Sequence, residues 1–399
     1  MRILLAGLLL GVLAMDARAR AAQAGQAQPI PLDAAHWELG GDAKFETFLG
    51  RPALRMCNAE VVAKDVQFLD GTLEFDVAVS TRRNFPMVGL RRQGEGEYEE
   101  FYFRTHKSEL PDAIQYVPAW QGVGGWQLYH GPGFTAKAVY PRDQWFPIRI
   151  VLSGTKAAVF VGDVAEPQLV VERLRREPQA GGLEFSDSCP PGSVPKGEHV
   201  AAISNVVLRP GYVPYDFSKS TMHENPPATG VVSAWEISDP FVPEKGPVRA
   251  LPEDVLRGRW RKVEAEPSGL VVLEKSVKLP KDVERPAVLA RVVIDSPSAR
   301  VRRFDFGFSD EVTVFLNSQP LFSGDAHYSH DNPRQEGLIG FWQGTLYLPL
   351  KKGRNELILS LAEVFGGWGV MGRLDESPSP QARLAIGATP PPSEDAARE

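Results

Sequence analysis

Several features that would point to a particular class of protein are missing from this sequence of 399 residues. Charge of one sign is never concentrated: 44 Lys and Arg are interspersed with 50 Asp and Glu, for a net charge of −6. Because no basic stripe forms, we expect no nucleic-acid partner. Cysteine is scarce, with two residues, and neither lies in a Cys/His spacing typical of a metal site. Sustained helical periodicity is also missing, which argues against a helical enzyme core.

Long apolar runs are confined to the N-terminus. Arg2 precedes an apolar run at residues 3–14, and small residues at 17–19 and 22–24 form A-x-A cleavage sites. This pattern predicts a signal peptide over residues 1–24 and a periplasmic or secreted protein. The run is too short to span a bilayer and no other segment is apolar enough, so we expect no membrane span.

Turn formers and short alternating segments dominate the rest of the chain. With 37 Gly and 34 Pro, the composition is that of many short strands joined by turns. In residues 72–79, Leu73 and Phe75 alternate with Glu74 and Asp76, and this period of two predicts a half-buried strand. The sequence therefore predicts an all-β protein made of two antiparallel β-sandwich (jelly-roll) domains.

The chain length is comfortable for two domains. We expect a first domain over residues 34–210, a Pro-bearing linker over 211–230, a second domain over 231–375 and a disordered tail over 376–399. In the second domain, two strand signals flank the Gly-bearing segment 351–355, which has the length of a hairpin connection.

The two cysteines, Cys57 and Cys189, both follow the signal peptide. In an oxidising compartment the pair permits one disulfide between an early strand and the end of the first domain. Two separate buried thiols are the alternative.

Longer segments resemble known families. Four segments resemble the concanavalin A-like lectin/glucanase superfamily, more narrowly its laminin-G and keto-sugar-hydrolase-like members. They are FLDGTLEFDVAV, YEEFYFRTHKSELPDAIQY, GGWQLYHGPG and ISNVVLRP. Two later segments resemble a galactose-binding-like jelly roll: GFSDEVTVFLNSQPLFSG and LYLPLKKGRNELILSLAE. They depart from it at one turn, where Asn317-Ser318 replaces the frequent Asn-Gly. The resemblance implies two folds associated with carbohydrates. It also allows a structural calcium ion in the second, although no D-x-D-x-D-G loop is present.

The strand around residue 103 carries the leading candidate site. Because Phe101 and Phe103 occupy the core side, alternation places these side chains on one outward face: Tyr98, Glu100, Tyr102, Arg104 and His106. Neighbouring strands and loops are expected to complete a ligand site with Asp112, Gln115, Trp126, Gln127 and Tyr129. Aromatic rings can stack on a sugar while charged groups hydrogen-bond its hydroxyls. The alternative is an ordinary sheet surface with an Arg104–Glu100 ion pair.

Catalytic carboxylates are a further hypothesis. The resemblance to glucanases implies a Glu-x-Asp-x-x-Glu strand motif, in which one acid attacks and another protonates the leaving oxygen. Glu74 and Asp76 match its first two positions, but Ala78 and Val79 stand near the third and cannot titrate. Plain strand-surface acids are therefore the alternative.

Histidines add a separate candidate. His106 and His130, together with Glu100 or Asp112, have the chemistry of a general acid/base pair or a metal site. Hydrogen-bonded structural histidines are the alternative.

In the second domain, one loop concentrates polar and aromatic side chains: Asp325, His327, Tyr328, His330 and Asp331. Trp342 and Trp368 are candidate stacking platforms for a sugar. The alternatives are a plain loop and, for the segment 366–369, a turn packed against the first domain.

These patterns favour an exported carbohydrate-binding protein that recognises a glycan through the first domain, with no cofactor. A glycoside hydrolase or keto-sugar-cleaving enzyme is the second hypothesis, with Glu100, Asp112 and Glu74 as acids and His106 assisting. A non-sugar adhesion or assembly module is the third, since sandwich folds host many functions.

Overall fold

A computed structural model describes residues 25–243, 248–280, 283–329, 332 and 336–375. The expected signal peptide and C-terminal tail lie outside the described residues. Strand far outweighs helix, at 51% against 4%, and the predicted all-β class with antiparallel sheets is confirmed.

The first fourteen strands are β1 Gln28–Pro29, β2 Trp37–Phe48, β3 Arg51–Ala63, β4 Gly71–Val79, β5 Phe85–Gly94, β6 Glu97–Phe103, β7 Ile114–Trp120, β8 Val123–Gly124, β9 Thr135–Ala136, β10 Phe146–Ser153, β11 Lys156–Val161, β12 Leu169–Val171, β13 Gly182–Ser188 and β14 Ala201–Pro210. The remaining strands are β15 Ala234–Ser238, β16 Trp260–Glu264, β17 Leu270–Val272, β18 Ala287–Ser296, β19 Arg300–Ser309, β20 Glu311–Leu316, β21 Gln319–Asp325, β22 Gly344–Leu350, β23 Gly353–Ala362 and β24 Gly369–Leu374. Two short helices, α1 Glu253–Arg257 and α2 Leu273–Ser276, and two 3-10 turns, Thr105–Lys107 and Phe217–Lys219, complete the elements.

Strands β1–β14 form one sheet that curls over itself. Below, the name first domain is used for this group of strands and the segment packed on it, and the name second domain for strands β15–β24. The main order is β12-β11-β10-β4-β14-β3-β13-β5-β6-β7-β8. In a flat sheet, β4 and β6 would be about 24 Å apart, at about 4.8 Å for each of five steps. The ring centroids of Phe75 on β4 and Phe103 on β6 are only 6.4 Å apart. The sheet therefore closes into two layers around a shared core, to which Phe185 of β13 also contributes.

Covalent and apolar contacts close the first domain. A disulfide joins Cys57 and Cys189, whose Cα atoms are 5.6 Å apart. After β14 the chain does not leave the domain at once: Tyr215, Phe217 and Met222 pack on the outer face of β10–β12. The segment expected to be a linker thus covers part of the first domain. At the other end, β1 pairs with β14 and lies before the expected start at residue 34.

The second group of strands forms a two-sheet sandwich. One sheet has the order β16-β15-β18-β23-β20-β21 and the other the order β17-β24-β19-β22. The core between them contains large rings, among them Trp235, Phe304, Phe306 and Trp368. Alternation explains this packing, because every second residue of β19 from Phe304 to Phe308 is a Phe that points inward.

Two turns in this sandwich differ from the sequence expectation. The prediction of a hairpin around residues 351–355 is wrong. Strand β22 pairs with β19, whereas β23 pairs with β18 and β20. This connection therefore crosses from one sheet to the other. A short loop can connect two strands of different sheets as well as the two strands of a hairpin, so loop length alone does not identify a hairpin. The β20–β21 connection is a true two-residue hairpin, and its residues Asn317 and Ser318 have φ of 50° and 68°. Positive φ at both positions is the signature of a type I′ turn, here made without glycine.

Candidate functional site

The two-residue alternation of β6 is present in the structure. Phe101 and Phe103 are buried in the core of the first domain. Tyr98 and Tyr102 are half-buried on the opposite side, where Glu100 is 3% exposed. We call the outward side of β13, β5, β6 and β7 the β6 face. Its rows follow the strand register, so residues from distant parts of the sequence become direct neighbours.

Glu100 and Glu184 lie on either side of Gly89 on the β6 face. Glu184 of β13 is opposite Gly89 of β5, which is opposite Glu100 of β6. Their Cα atoms are therefore two strands, about 10 Å, apart. A Cβ atom at residue 89 would lie 2.6 Å from Cγ of Glu184, so the Glu184 side chain lies over Gly89 in the direction of Glu100. This brings the two carboxyl groups, called the carboxyl pair below, nearer to each other than their Cα atoms.

The Glu184 carboxyl group is buried beside a cation and another acid. Burial raises its pKa to about 7, and the neighbouring Glu60 carboxylate adds to the rise. Arg92 opposes both effects, because its guanidinium donates to Glu184 and to Oε1 of Glu60, the latter at 3.1 Å. Glu184 is thus poised to gain or lose a proton near neutral pH.

No described residue forms an ion pair with the Glu100 carboxyl group. Burial raises its pKa well above the usual range, and the negative charge of Glu184 raises it further. The hydroxyl groups of Tyr102 and Ser186 hydrogen-bond to it, the latter at 3.5 Å. Burial therefore favours the protonated form of Glu100, whereas Arg92 favours the ionised form of Glu184.

Arg104 is buried at the edge of the β6 face. Its guanidinium donates to the side-chain oxygen of Gln115 and, at 3.3 Å, to the carbonyl of Asp112. It also lies 5.7 Å from the ring centroid of Tyr102. These contacts replace the surface ion pair with Glu100 that was the alternative expectation. The Arg104 guanidinium, oriented by Gln115, therefore lies beside the Tyr102 ring.

His106 and Asp112 lie beside this edge. The His106 ring contacts Phe85, with centroids 4.9 Å apart, and burial together with nearby Arg83 lowers its pKa to about 4. His106 is therefore neutral at physiological pH. The Asp112 carboxylate accepts a hydrogen bond from Lys107.

Three residues expected at the ligand site lie against the second domain. The Trp126 ring packs edge-on against Tyr328, with centroids 5.4 Å apart, and also against Phe365. Trp126 thus belongs to the border between the two domains. Because Gln115 donates to the carbonyl of Trp126 at 2.7 Å, the border is tied to the β6 face.

Gln127 and Tyr129 lie deeper in this interdomain contact. Gln127 exchanges backbone hydrogen bonds with Gly366 and Ile339, and its side-chain oxygen accepts from Ser309 at 2.7 Å. The Tyr129 hydroxyl donates to Glu266 at 2.6 Å. Sequence alternation could not predict these interdomain contacts, because Gln127 and Tyr129 follow β7, the last long strand at this edge of the sheet.

His130 is also part of the contact, and its partners differ from those of His106. Its Nε2 lies 2.7 Å from the carbonyl oxygen of Ile339, and its ring meets the edge of Trp342. In the described residues, no three His, Cys, Asp or Glu side chains are arranged to hold a metal ion.

Glu74 and Asp76 lie on β4, in the layer opposite the β6 face. Glu74 pairs with Arg209 at 3.0 Å, and Asp76 accepts from Asn205 at 2.6 Å and pairs with Arg51. Both carboxylates are only half-buried and have basic partners.

The candidate loop of the second domain is described in part, since His330 and Asp331 lie outside the described residues. Asp325 binds His327, and Tyr328 accepts a hydrogen bond from Arg83 of the first domain at 2.7 Å. Trp368 is buried in the sandwich core, whereas Trp342 is 71% exposed.

Sequence reasoning missed several members of the β6 face and one acid of the adjacent strand β3. The missed members of the face are Gly89, Arg92, Glu184 and Ser186, and the acid on β3 is Glu60. A usable signal was present, because GLEFSDS alternates as regularly as β6 does and places Glu184 and Ser186 on the side opposite Leu183 and Phe185. No local pattern, however, indicates that β13 lies beside β5.

No family model and no curated protein matches the chain. Among solved structures, it is similar to the carbohydrate binding module CBM66 from Bacillus subtilis, at 10% identity and a TM-score of 0.32, over 43% of this chain and 93% of that chain. It is also similar to a prokaryotic beta-1,3-1,4-glucanase (lichenase) derived from a mouse hindgut metagenome, at 12% identity and a TM-score of 0.34, over 47% and 98%. The Bacillus licheniformis beta-glucanase matches at 11% identity and a TM-score of 0.35, over 46% and 97%.

None of the helices in the described ranges combines the length and apolar character needed to cross a bilayer.

Proposed function

We propose that the protein binds a glycan through the β6 face. The observation that carries this proposal is the pair Tyr98 and Tyr102, two half-buried rings on one strand on either side of the buried Glu100. Each ring offers an apolar surface to the C–H groups of a sugar.

Charged groups near the tyrosines are ordered by contacts of their own. The Arg104 guanidinium lies 5.7 Å from the centroid of the Tyr102 ring, and Arg92 hydrogen-bonds to Glu184 and Glu60. Side chains that are already ordered lose little conformational entropy when a ligand binds. Partly exposed Glu60 and Arg92 add polar contacts at the rim, which suit sugar hydroxyls.

Isothermal titration against a panel of oligosaccharides tests the proposal. We expect Tyr98→Ala and Tyr102→Ala each to weaken binding by about tenfold or more, equivalent to at least about 1.4 kcal/mol. Tyr212→Ala is the matched control, because Tyr212 is an exposed tyrosine of the first domain on another surface. Lack of binding to every glycan, or equal affinity in all three variants and the unsubstituted protein, contradicts the proposal.

Sugar cleavage is the second candidate function, and the carboxyl pair favours it. Glycosidases use two carboxyl groups whose surroundings separate their protonation states, one acting as acid and the other as base or nucleophile. Glu100 meets the requirement for the acid, and Glu184 beside Arg92 meets that for the ionised partner. Of the acids expected from the sequence, Glu100 is the one that joins this pair.

The Glu100→Gln variant distinguishes glycan binding from sugar cleavage. The amide has the shape of the protonated acid but cannot give up a proton, so a binding protein keeps its affinity while an enzyme loses turnover. Product release from oligosaccharides, measured by chromatography for the unsubstituted protein, Glu100→Gln and Glu184→Gln, reports catalysis. Absence of product, or equal rates in all three proteins, rules out catalysis by this pair.

We further propose that the protein is exported. Support comes from the signal pattern of residues 1–24 and from the pairing of Cys57 with Cys189, since disulfides persist in oxidising compartments. N-terminal sequencing of the mature protein is expected to show cleavage after Ala24. An uncleaved protein in the cytoplasm would overturn this assignment.

A further inference from the structure

A cavity, called the junction cavity below, lies where the two domains and the connecting segment meet. It has a volume of about 240 Å³. The first domain contributes Tyr129 and His130, the connecting segment contributes Glu224, and the second domain contributes Glu266 and Trp342. Ligand sites form preferentially at such domain junctions, because concave surfaces arise there without disturbing either core.

Trp342 forms an exposed platform at this cavity. A Cβ atom at Gly340 would lie 2.1 Å from the Trp342 ring, so the indole can lie against the backbone only because residue 340 is glycine. The edge of the ring contacts His130, with centroids 5.8 Å apart. The ring is therefore held from two sides, yet it remains 71% exposed.

Hydrogen-bond acceptors line another part of the cavity. Arg175, which is buried, pairs with Oε2 of Glu224 at 2.6 Å and with Oε2 of Glu266 at 3.2 Å. The second oxygen of Glu266 accepts from Tyr129. Oε1 of Glu224 receives no hydrogen bond from the described residues and is available to a donor.

His130 supplies a second acceptor. Burial lowers the pKa of its imidazole, so the ring is neutral at physiological pH. Nε2–H donates to the carbonyl oxygen of Ile339, which assigns the lone pair to Nδ1.

We propose that the junction cavity binds one pyranose ring of a neutral sugar, stacked on Trp342. The apolar C–H face of the ring packs on the indole, while hydroxyl groups donate to Glu224 and to His130. The volume lies below the range of about 300–1,000 Å³ for drug-sized ligands, which restricts the occupant to a single ring. The cavity shares no residue with the β6 face, so this site does not depend on the function proposed there.

Three methyl glycosides serve as probes: methyl β-D-glucopyranoside, methyl β-D-galactopyranoside and methyl β-D-xylopyranoside. Each is titrated into the full chain, with binding followed by calorimetry and by saturation-transfer NMR. We expect at least one to bind, and Trp342→Ala to weaken it by about tenfold or more. Trp342→Phe keeps a stacking ring and should retain most of the affinity.

Tyr347→Ala is the matched control, because Tyr347 is a 58% exposed aromatic residue of the same domain that does not line the cavity. It should bind the probe as the unsubstituted protein does, and so should Tyr98→Ala on the β6 face. Three results would overturn the proposal: no probe binds, Trp342→Ala binds with unchanged affinity, or Tyr98→Ala abolishes the same binding event. Far-UV circular dichroism and an unchanged unfolding midpoint show that Trp342→Ala remains folded.

Discussion

Replacing Glu274 by Gln is expected to stabilise the second domain at alkaline pH. Glu274, in α2, is fully buried. One of its oxygens accepts from the backbone N–H of Trp368 at 3.2 Å, and the other is buried without a hydrogen-bond partner among the described residues. Burial raises its pKa from 4.5 to about 8, and the Asp310 carboxyl group adds to the rise. Glu363, whose pKa is also raised, is a third acid of this cluster.

The size of the effect follows from the difference between the folded and unfolded pKa of Glu274. A difference of about 3.5 pKa units at about 1.4 kcal/mol each corresponds to about 5 kcal/mol. Below pH 4.5 the group is protonated in both states, so it carries no penalty. As the pH rises toward 8, the unfolded chain releases this proton first, and the free energy of unfolding falls. Gln has no proton to lose, so Glu274→Gln should abolish this part of the decline.

Urea unfolding at pH 5 and pH 8.5, followed by tryptophan fluorescence, measures the effect. Trp235 and Trp368 lie in the core of the second domain and report its unfolding. Glu274→Gln should resemble the unsubstituted protein at pH 5 and exceed it by up to about 5 kcal/mol at pH 8.5. Glu264→Gln, at an exposed position on β16, is the control and should change neither value. Identical pH dependence in Glu274→Gln and the unsubstituted protein would refute the reasoning.

Two further predictions concern the first domain. Gly89→Ala should destabilise it by about 1–3 kcal/mol and displace Glu184, because the new Cβ would lie 2.6 Å from Cγ of Glu184. The control in the same urea titration is Gly94→Ala, whose Cβ would have no atom of the described residues within 4 Å. Replacing Cys57 and Cys189 together by Ser should lower the free energy of unfolding by about 5 kcal/mol in the chain-entropy model, since the bridge closes a sequence separation of 132 residues. An unchanged unfolding midpoint under non-reducing conditions would contradict the disulfide.

Local sequence patterns are sufficient to predict a strand such as β6 and the side of the sheet on which each of its side chains lies. In β6, Phe101 and Phe103 point inward because alternating side chains must lie on opposite sides of a strand. The same rule puts Tyr98, Glu100 and Tyr102 in one row on the other side. It does not show that Arg104 is buried against Gln115, because that contact depends on how β7 and the following loop fold over the edge.

The amino-acid sequence by itself determined the all-β class, the two-residue alternation and the outward row on β6, since these depend on neighbours a few positions apart. Tertiary structure alone decided which strands became neighbours. It placed Glu184 across Gly89 from Glu100, turned Trp126 and Tyr129 toward the second domain, and formed the junction cavity around Trp342. The physical reason is that strand pairing and domain packing join groups far apart in the chain, and no short-range periodicity records which partners will meet.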